Sequence, residues 1–248
     1  MLNSTSCPSE NVRPASQSAV SRVDVVLFDY GQVLSCPPNA VAWARLRSIS
    51  GLDETRMHAA YWEFRHQYDC GTLTGVDYWH AVAAHAGVSF DAKQLAELEA
   101  ADIDVWTDLN QPMVEWAIRL QRAGVRTGIL SNIGDAMGKG IVARFPWLAG
   151  FDYCTWSYEL KLAKPDPAIY IKTAEFLHAA MNEILFIDDR EENIAAAAAL
   201  GMQTLHYTEQ EAFELEMRGR GLAELLDVGC GDGSLSSGQK LEVETAAK

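Results

Sequence analysis

The sequence predicts an α/β fold with a doubly wound, Rossmann-like parallel sheet as its core and an inserted small α-helical cap. Three observations predict it. Residues 23–28, 125–130, 184–187 and 203–206 are short apolar or β-branched runs that each meet a turn. Such near-continuous apolar strands suit a parallel sheet covered on both faces. Helical patterns separate the runs, the alternation expected of βαβ units. A stretch of helices without strands, residues 35–110, breaks that rhythm after the first run.

Taken in order, residues 1–20 are polar and Pro-interrupted and read as a disordered N-terminal extension. The α/β core takes residues 21–34 and resumes at 111–228. The intervening 35–110 predicts helices over 40–49, 54–68, 76–86 and 92–101, divided by Gly51, Gly71, Gly75 and Gly87. Within the core, 112–123 places Met113, Trp116, Ala117 and Leu120 on one face, with Pro112 in a first turn and Gly124 as the stop. Residues 167–180 repeat that spacing, and the Ala-rich 191–200 ends at Gly201. A fifth strand over 151–156 is shorter and ambiguous. Residues 229–248, rich in Gly and Ser and then charged, read as a flexible C-terminal tail. The segment 225–234 is similar to the Gly-rich first motif of S-adenosylmethionine-dependent methyltransferases. It lacks the following strand with an acidic residue that a cofactor ribose needs, so it is read as part of the tail.

Charge narrows the function. Of the 248 residues, 34 are Asp or Glu and 20 are Lys or Arg, a formal net charge of -14. That field repels nucleic-acid phosphates and anionic lipid, so neither nucleic acid nor membrane is an expected partner. An anionic small substrate then needs a local positive feature, a metal ion or a placed lysine. The five cysteines form no CxxC pair, which argues against a disulfide framework and a Cys-rich zinc site. No apolar run approaches the roughly 20 residues of a membrane span, and residues 1–20 lack the apolar middle of a secretory signal. The expected location is the cytoplasm. Oligomeric state is not legible.

Ligands of open α/β sheets sit outside the carboxyl ends of the strands. There the sequence puts Asp29, then Ser131-Asn132, then Asp188-Asp189, with Lys164 in the turn KPDP before a helix. Three carboxylates at one sheet edge repel each other, so a hard dication such as Mg²⁺ is the natural counterion. Asp29 could ligate with one oxygen and attack with the other. Ser131 offers a hydroxyl, and Asn132 a backbone N–H, to a phosphoryl oxygen. Lys164 would offset negative charge on nucleophile and substrate.

These four pieces, in this order, resemble the haloacid dehalogenase-like (HAD) hydrolase superfamily over roughly residues 23–207. The resemblance implies Asp29 as nucleophile, with metal ligands from the Asp29 carboxylate, the Gly31 carbonyl and Asp189, and Asp188 close by. It implies that 35–110 is a cap choosing the substrate. One departure matters. Phosphatases of the superfamily carry Asp-x-Asp, and the second Asp protonates the leaving oxygen; here that place is Gly31. A group of that kind contributes roughly 10²–10⁴-fold. The Asp-x-Gly-Gln-Val form is similar to a branch with bacterial α-glucose-1-phosphate phosphatases, whose leaving group departs easily.

The first reading is therefore a Mg²⁺-dependent phosphatase of a small phosphorylated metabolite, sugar phosphates among the candidates. A 2-haloacid dehalogenase using the same Asp, and a catalytically weak binding or regulatory protein, are the alternatives. His66 or His80 could stand in for the missing acid. Trp43, Trp62, Trp79, Tyr61 and Tyr68 are read as cap core rather than as a substrate platform, and Asn193 as a residue orienting the metal's carboxylates.

Overall fold

The computed structural model describes residues 22–230; the predicted N-terminal extension and most of the predicted tail lie outside them. In chain order the strands and helices are β1 (Val25–Phe28), α1 (Ala40–Ser50), α2 (Glu54–Glu63), α3 (Arg65–Asp69), α4 (Gly75–Ala86), α5 (Ala92–Val105), α6 (Gln111–Arg122), β2 (Arg126–Ser131), α7 (Asp135–Arg144), β3 (Tyr153–Trp156), α8 (Ser157–Leu160), α9 (Pro167–Phe176), β4 (Ile184–Asp188), α10 (Glu191–Ala199), β5 (Gln203–His206), α11 (Gln210–Gly219) and α12 (Ala223–Leu226).

The five strands form one parallel sheet in the order β3-β2-β1-β4-β5. The direction of winding reverses between β1 and β4, which opens a crevice at their carboxyl ends. Side chains alternate between the faces as a pleated strand requires. Val26 and Phe28 join Trp116, Leu120 and Phe213 on one side, while Val25 and Leu27 join Ile169, Tyr170 and Ala197 on the other. Helices thus cover both faces, and the doubly wound α/β architecture is established.

Helices α1–α5 gather a separate apolar cluster from Leu46, Met57, Tyr61, Tyr78, Trp79, Val82 and Leu98. The two strands of chain joining this insert to the core run side by side, with Ser35 bridging Leu109 in antiparallel fashion. Close packing then holds insert against core. The Tyr68 ring lies where any side chain at Gly134 would stand, and Ile103 of α5 occupies the equivalent space at Gly140 in α7.

The boundaries differ from expectation in several places. The predicted helix over 54–68 breaks at Phe64 (φ -106°, ψ 3°) into α2 and α3. The one over 92–101 runs on to Val105, and the one over 167–180 ends at Phe176, with His178 at φ 48°. The ambiguous 151–156 supplies a true edge strand. Helices α7, α8, α11 and α12 have no counterpart in the sequence reading. Part of the methyltransferase-like segment is packed against the core rather than free: the Trp116 indole donates to the Leu225 carbonyl (3.0 Å) and Arg119 Nε to that of Val228 (3.2 Å).

Candidate active site at the switch point of the sheet

Strand register builds the site. Phe28 is opposite Ile187, and the Asp29 N–H donates to the Ile187 carbonyl at 2.8 Å, so Asp29 follows β1 where Asp188 ends β4. A tight turn over Tyr30–Leu34 comes next, closed by the Ser35 N–H on the Tyr30 carbonyl (2.8 Å). Within it Gln32 takes a left-handed φ of 57°. Its carboxamide Nε2 donates to Asp189 Oδ2 at 2.7 Å. One oxygen from each of Asp29, Asp188 and Asp189 lies within 4.8 Å of the others.

Lys164 reaches into this cluster from the turn before α9. Its ammonium is 2.9 Å from Asp29 Oδ1 and 2.6 Å from Asp188 Oδ2, and the residue is 3% exposed. The Asn132 carboxamide fixes the turn from both sides: Oδ1 accepts from the Lys164 N–H and Nδ2 donates to the Lys164 carbonyl, each at 2.8 Å. Asp188 is fully engaged. Oδ1 accepts from the Arg190 N–H and from Asn193 Nδ2 (both 2.9 Å), and Oδ2 from Lys164 and Asn193. Asp29 is different. Oδ1 takes Lys164 and the Tyr30 N–H (2.7 Å), while among the described residues no donor reaches Oδ2.

Electrostatics follow from this burial. The Asp29 carboxyl is pushed up to about 7 in all: desolvation raises it most, Lys164 opposes that, and Asp188 and Asp189 add to the rise. Burial also raises Asp189, with Asp188 adding to the effect and Lys164 opposing it. At Lys164 burial favours the neutral amine, but Asp188 and Asp29 outweigh it and hold the ammonium above its ordinary range. Three carboxylates thus cluster around one ammonium that pairs with two of them, and the donor set is all oxygen with an excess of negative charge. That chemistry fits a hard dication.

The cluster floors a cavity of about 390 Å³ whose walls include Asp29, Gly31, Ser131, Asn132, Lys164 and Asp189. All six are residues singled out from the sequence; the seventh, Asp188, is fully buried behind them. The roof comes from the insert: Trp62, Arg65, Asp69 and Trp106. Arg65 is engaged at Asp69 Oδ1 (3.0 Å), the Tyr61 hydroxyl (2.5 Å) and Met137 Sδ (3.2 Å), with Asp102 3.5 Å away. Ser157 ties this roof to the floor, donating to the Asp69 carbonyl (2.6 Å) and accepting from the Ile133 N–H (2.8 Å).

Sequence reasoning missed Gln32, Arg65, Asp69 and Trp106. Gln32 alone had an available signal, since it sits inside the first motif. Neither His66 nor His80 lines the cavity. Trp79, Tyr61 and Tyr68 are buried in the insert's core, but Trp62 is 43% exposed and faces the cavity instead.

Known proteins carry this architecture. A computed likeness covers 79% of this chain and 99% of a HAD family enzyme from Bacteroides thetaiotaomicron, at a TM-score of 0.67 and 24% identity. That enzyme has also been crystallised with magnesium and inorganic phosphate (TM-score 0.62, 23% identity, 75% of this chain and 94% of that one). In sequence, a phosphoglycolate phosphatase of Cereibacter sphaeroides is 35% identical over 138 residues, 52% of this chain and 61% of the relative. The bifunctional epoxide hydrolase 2 of Sus scrofa is 34% identical over 101 residues, 39% of this chain and 18% of the relative. The chain therefore spans less than a fifth of that hydrolase and about three fifths of the phosphatase. The sequence model of the haloacid dehalogenase-like hydrolases matches residues 42–201, well over half of the chain. With that match and a parallel sheet presenting Asp29, Ser131, Lys164 and Asp188 at its carboxyl edge, this chain belongs to the haloacid dehalogenase-like hydrolase family.

Proposed function

We propose that this chain is a phosphoric monoester hydrolase acting on a small phosphorylated metabolite in the cytoplasm, with Mg²⁺ held by Asp29, Asp189 and the Gly31 carbonyl, Asp188 standing behind them. The observation that carries the reading is the Lys164 ammonium wedged between Asp29 and Asp188, with Asp29 lining the cavity and no donor among the described residues on its Oδ2. When bound, the dication offsets the charge of the phosphoryl oxygens.

The rest belongs to the chain's own groups. Asp29 Oδ2 attacks phosphorus, the ester oxygen leaves, and water then attacks the phosphorus of the aspartyl-phosphate to restore the carboxylate. Ser131 and the Asn132 N–H hold phosphoryl oxygens, and Lys164 favours the ionised Asp29 against the opposing effect of burial. Residues 35–110 act as the cap, excluding water and meeting the organic part of the substrate. Asp188 works mainly through Lys164 and Asn193, which fill its four acceptor positions together with the Arg190 N–H.

A panel of phosphomonoesters assayed with Mg²⁺ and with EDTA tests this, run beside chloride release from 2-chloropropionate. Magnesium-dependent phosphate release is expected. Chloride release that survives EDTA would instead favour the chemistry named for the (S)-2-haloacid dehalogenase of Pseudomonas sp., which is 28% identical over 54% of this chain. Absence of either product from folded protein would favour a binding role.

A further inference from the structure

A second cavity of about 280 Å³ lies in the insert, walled by Trp43, His58, Tyr61, Trp62 and Trp106. Trp62 and Trp106 also line the cavity over Asp29, so the two spaces share those walls. The rings of the second cavity meet edge to face, Trp43 with Tyr61 and Tyr61 with Trp62 at centroid distances of 5.0 Å in both cases. Most polar handles of these rings already have partners. Trp43 Nε1 donates to Glu54 (2.8 Å), Tyr61 Oη donates to Asp102 (2.6 Å), and Trp106 Nε1 donates to Tyr61 (3.3 Å). The ligand is therefore offered mainly apolar ring surface. A sugar seated there would lose hydrogen bonds to water that the walls do not return.

A separate observation concerns the missing acid. A Cβ placed on Gly31 would lie 3.9 Å from Cζ3 of Trp106. The edge of the Trp106 indole thus stands beside the place from which a proton-donating side chain at that residue would start. No other titratable side chain outside the carboxylate–lysine cluster lines the cavity over Asp29, among the described residues, except Asp69, Tyr30 and the arginines. Asp69 is ion-paired with Arg65, and the Tyr30 hydroxyl donates to the Trp106 carbonyl at 3.0 Å. Without a donor, the leaving oxygen must depart as an anion. Phenols are far more acidic than alkyl alcohols, so an aryl oxygen needs help least.

Resting on the phosphatase reading, we infer that the preferred substrate is an aryl phosphate, whose ring is taken by Trp62 and Trp106 and extends toward Trp43 and His58. The aryl oxygen–phosphorus bond breaks as Asp29 bonds to phosphorus; the electron pair leaves with the aryloxide, which takes a proton from solvent. Water then supplies the oxygen of the released phosphate and its proton returns to solvent.

The test compares 2-naphthyl phosphate, phenyl phosphate and α-glucose 1-phosphate with Mg²⁺ present. The second ring is expected to raise kcat/KM about 10-fold over phenyl through apolar burial, with the sugar phosphate below both. Across a series of substituted phenyl phosphates the rate should fall steeply as the phenol becomes less acidic, and Gly31→Asp should flatten that slope. Trp43→Ala, checked for folding by its thermal midpoint, should bring the naphthyl-to-phenyl ratio toward one. Binding of 2-naphthylmethylphosphonate to the wild-type protein, measured by calorimetry, serves even if no variant folds; it should exceed that of methylphosphonate about 10-fold or more. Equal binding of the two phosphonates, a shallow slope, or a preference for the sugar phosphate would overturn the inference while leaving the phosphatase reading intact. Absence of all turnover beside tight naphthyl binding would sink that reading and not the aromatic site.

Discussion

Among the described residues, two buried clusters bring a cation against aspartates, and they are built to opposite ends. In the insert, Arg65 has a partner for each of its three nitrogens, and Asp102 accepts from Tyr61. The rings of Tyr61 and Tyr68 lie 5.2 and 5.4 Å from the guanidinium carbon. Although Arg65 and Asp69 also line the cavity, that cluster has its charges paired internally. At the sheet edge, Lys164 pairs with Asp29 and Asp188 while Asp189 adds a third carboxylate beside them, and Asp29, which lines the cavity, keeps one oxygen without a donor among the described residues. The first arrangement holds the insert's helices in register. The second leaves charge for something that arrives later, which is how a site differs from a structural ion pair.

The difference predicts different failures. Asp29→Asn should lower phosphate release by about 10⁴-fold or more yet leave the thermal midpoint level or higher, because a buried carboxylate is neutralised. A variant that kept its turnover would remove Asp29 as the nucleophile. Lys164→Gln should cost about 10²–10³-fold in kcat, measured with an aryl phosphate at saturating Mg²⁺.

Arg65→Met should act chiefly on stability, by about 3–5 kcal/mol, since it strands two buried carboxyls; urea melts measure it. The pH dependence has a definite sign. Burial raises Asp69 and Asp102, and Arg65 is the foremost group that opposes the rise in both. A carboxyl with a raised folded pKa favours the fold below its unfolded value and loses that contribution as pH rises through the folded value. Removing Arg65 raises both further, so the deficit should be larger at about pH 8 than at about pH 5. A deficit that shrank with rising pH would break the contrast between the clusters. The smallest effect is expected from Gln32→Ala, which frees Asp189 and should weaken Mg²⁺ binding about 10-fold by calorimetry.

The sheet edge was legible because strand periodicity and parallel register are local rules. Once residues 25–28 and 184–188 pair in parallel, Asp29 and Asp188 must meet, and the turn KPDP delivers Lys164. The insert was legible only as helices. That Trp106 would face Gly31, 75 positions earlier in the chain, depends on how the insert docks, and no short-range pattern encodes it. Helix α7 escaped notice for a related reason. Gly138 and Gly140 depress its helical propensity, but they are where Tyr158 and Ile103 press against it. Phe64 ended α2 without a Gly or Pro to announce it.

Rapid acid quenching of the wild-type protein during turnover of an aryl phosphate, followed by peptide mass spectrometry, examines the proposed chemistry at its core. One added phosphoryl group is expected on the peptide bearing Asp29, formed only when Mg²⁺ is present and absent from Asp29→Asn. Steady turnover with an unmodified Asp29 peptide, or a phosphoryl group on another residue, would contradict it.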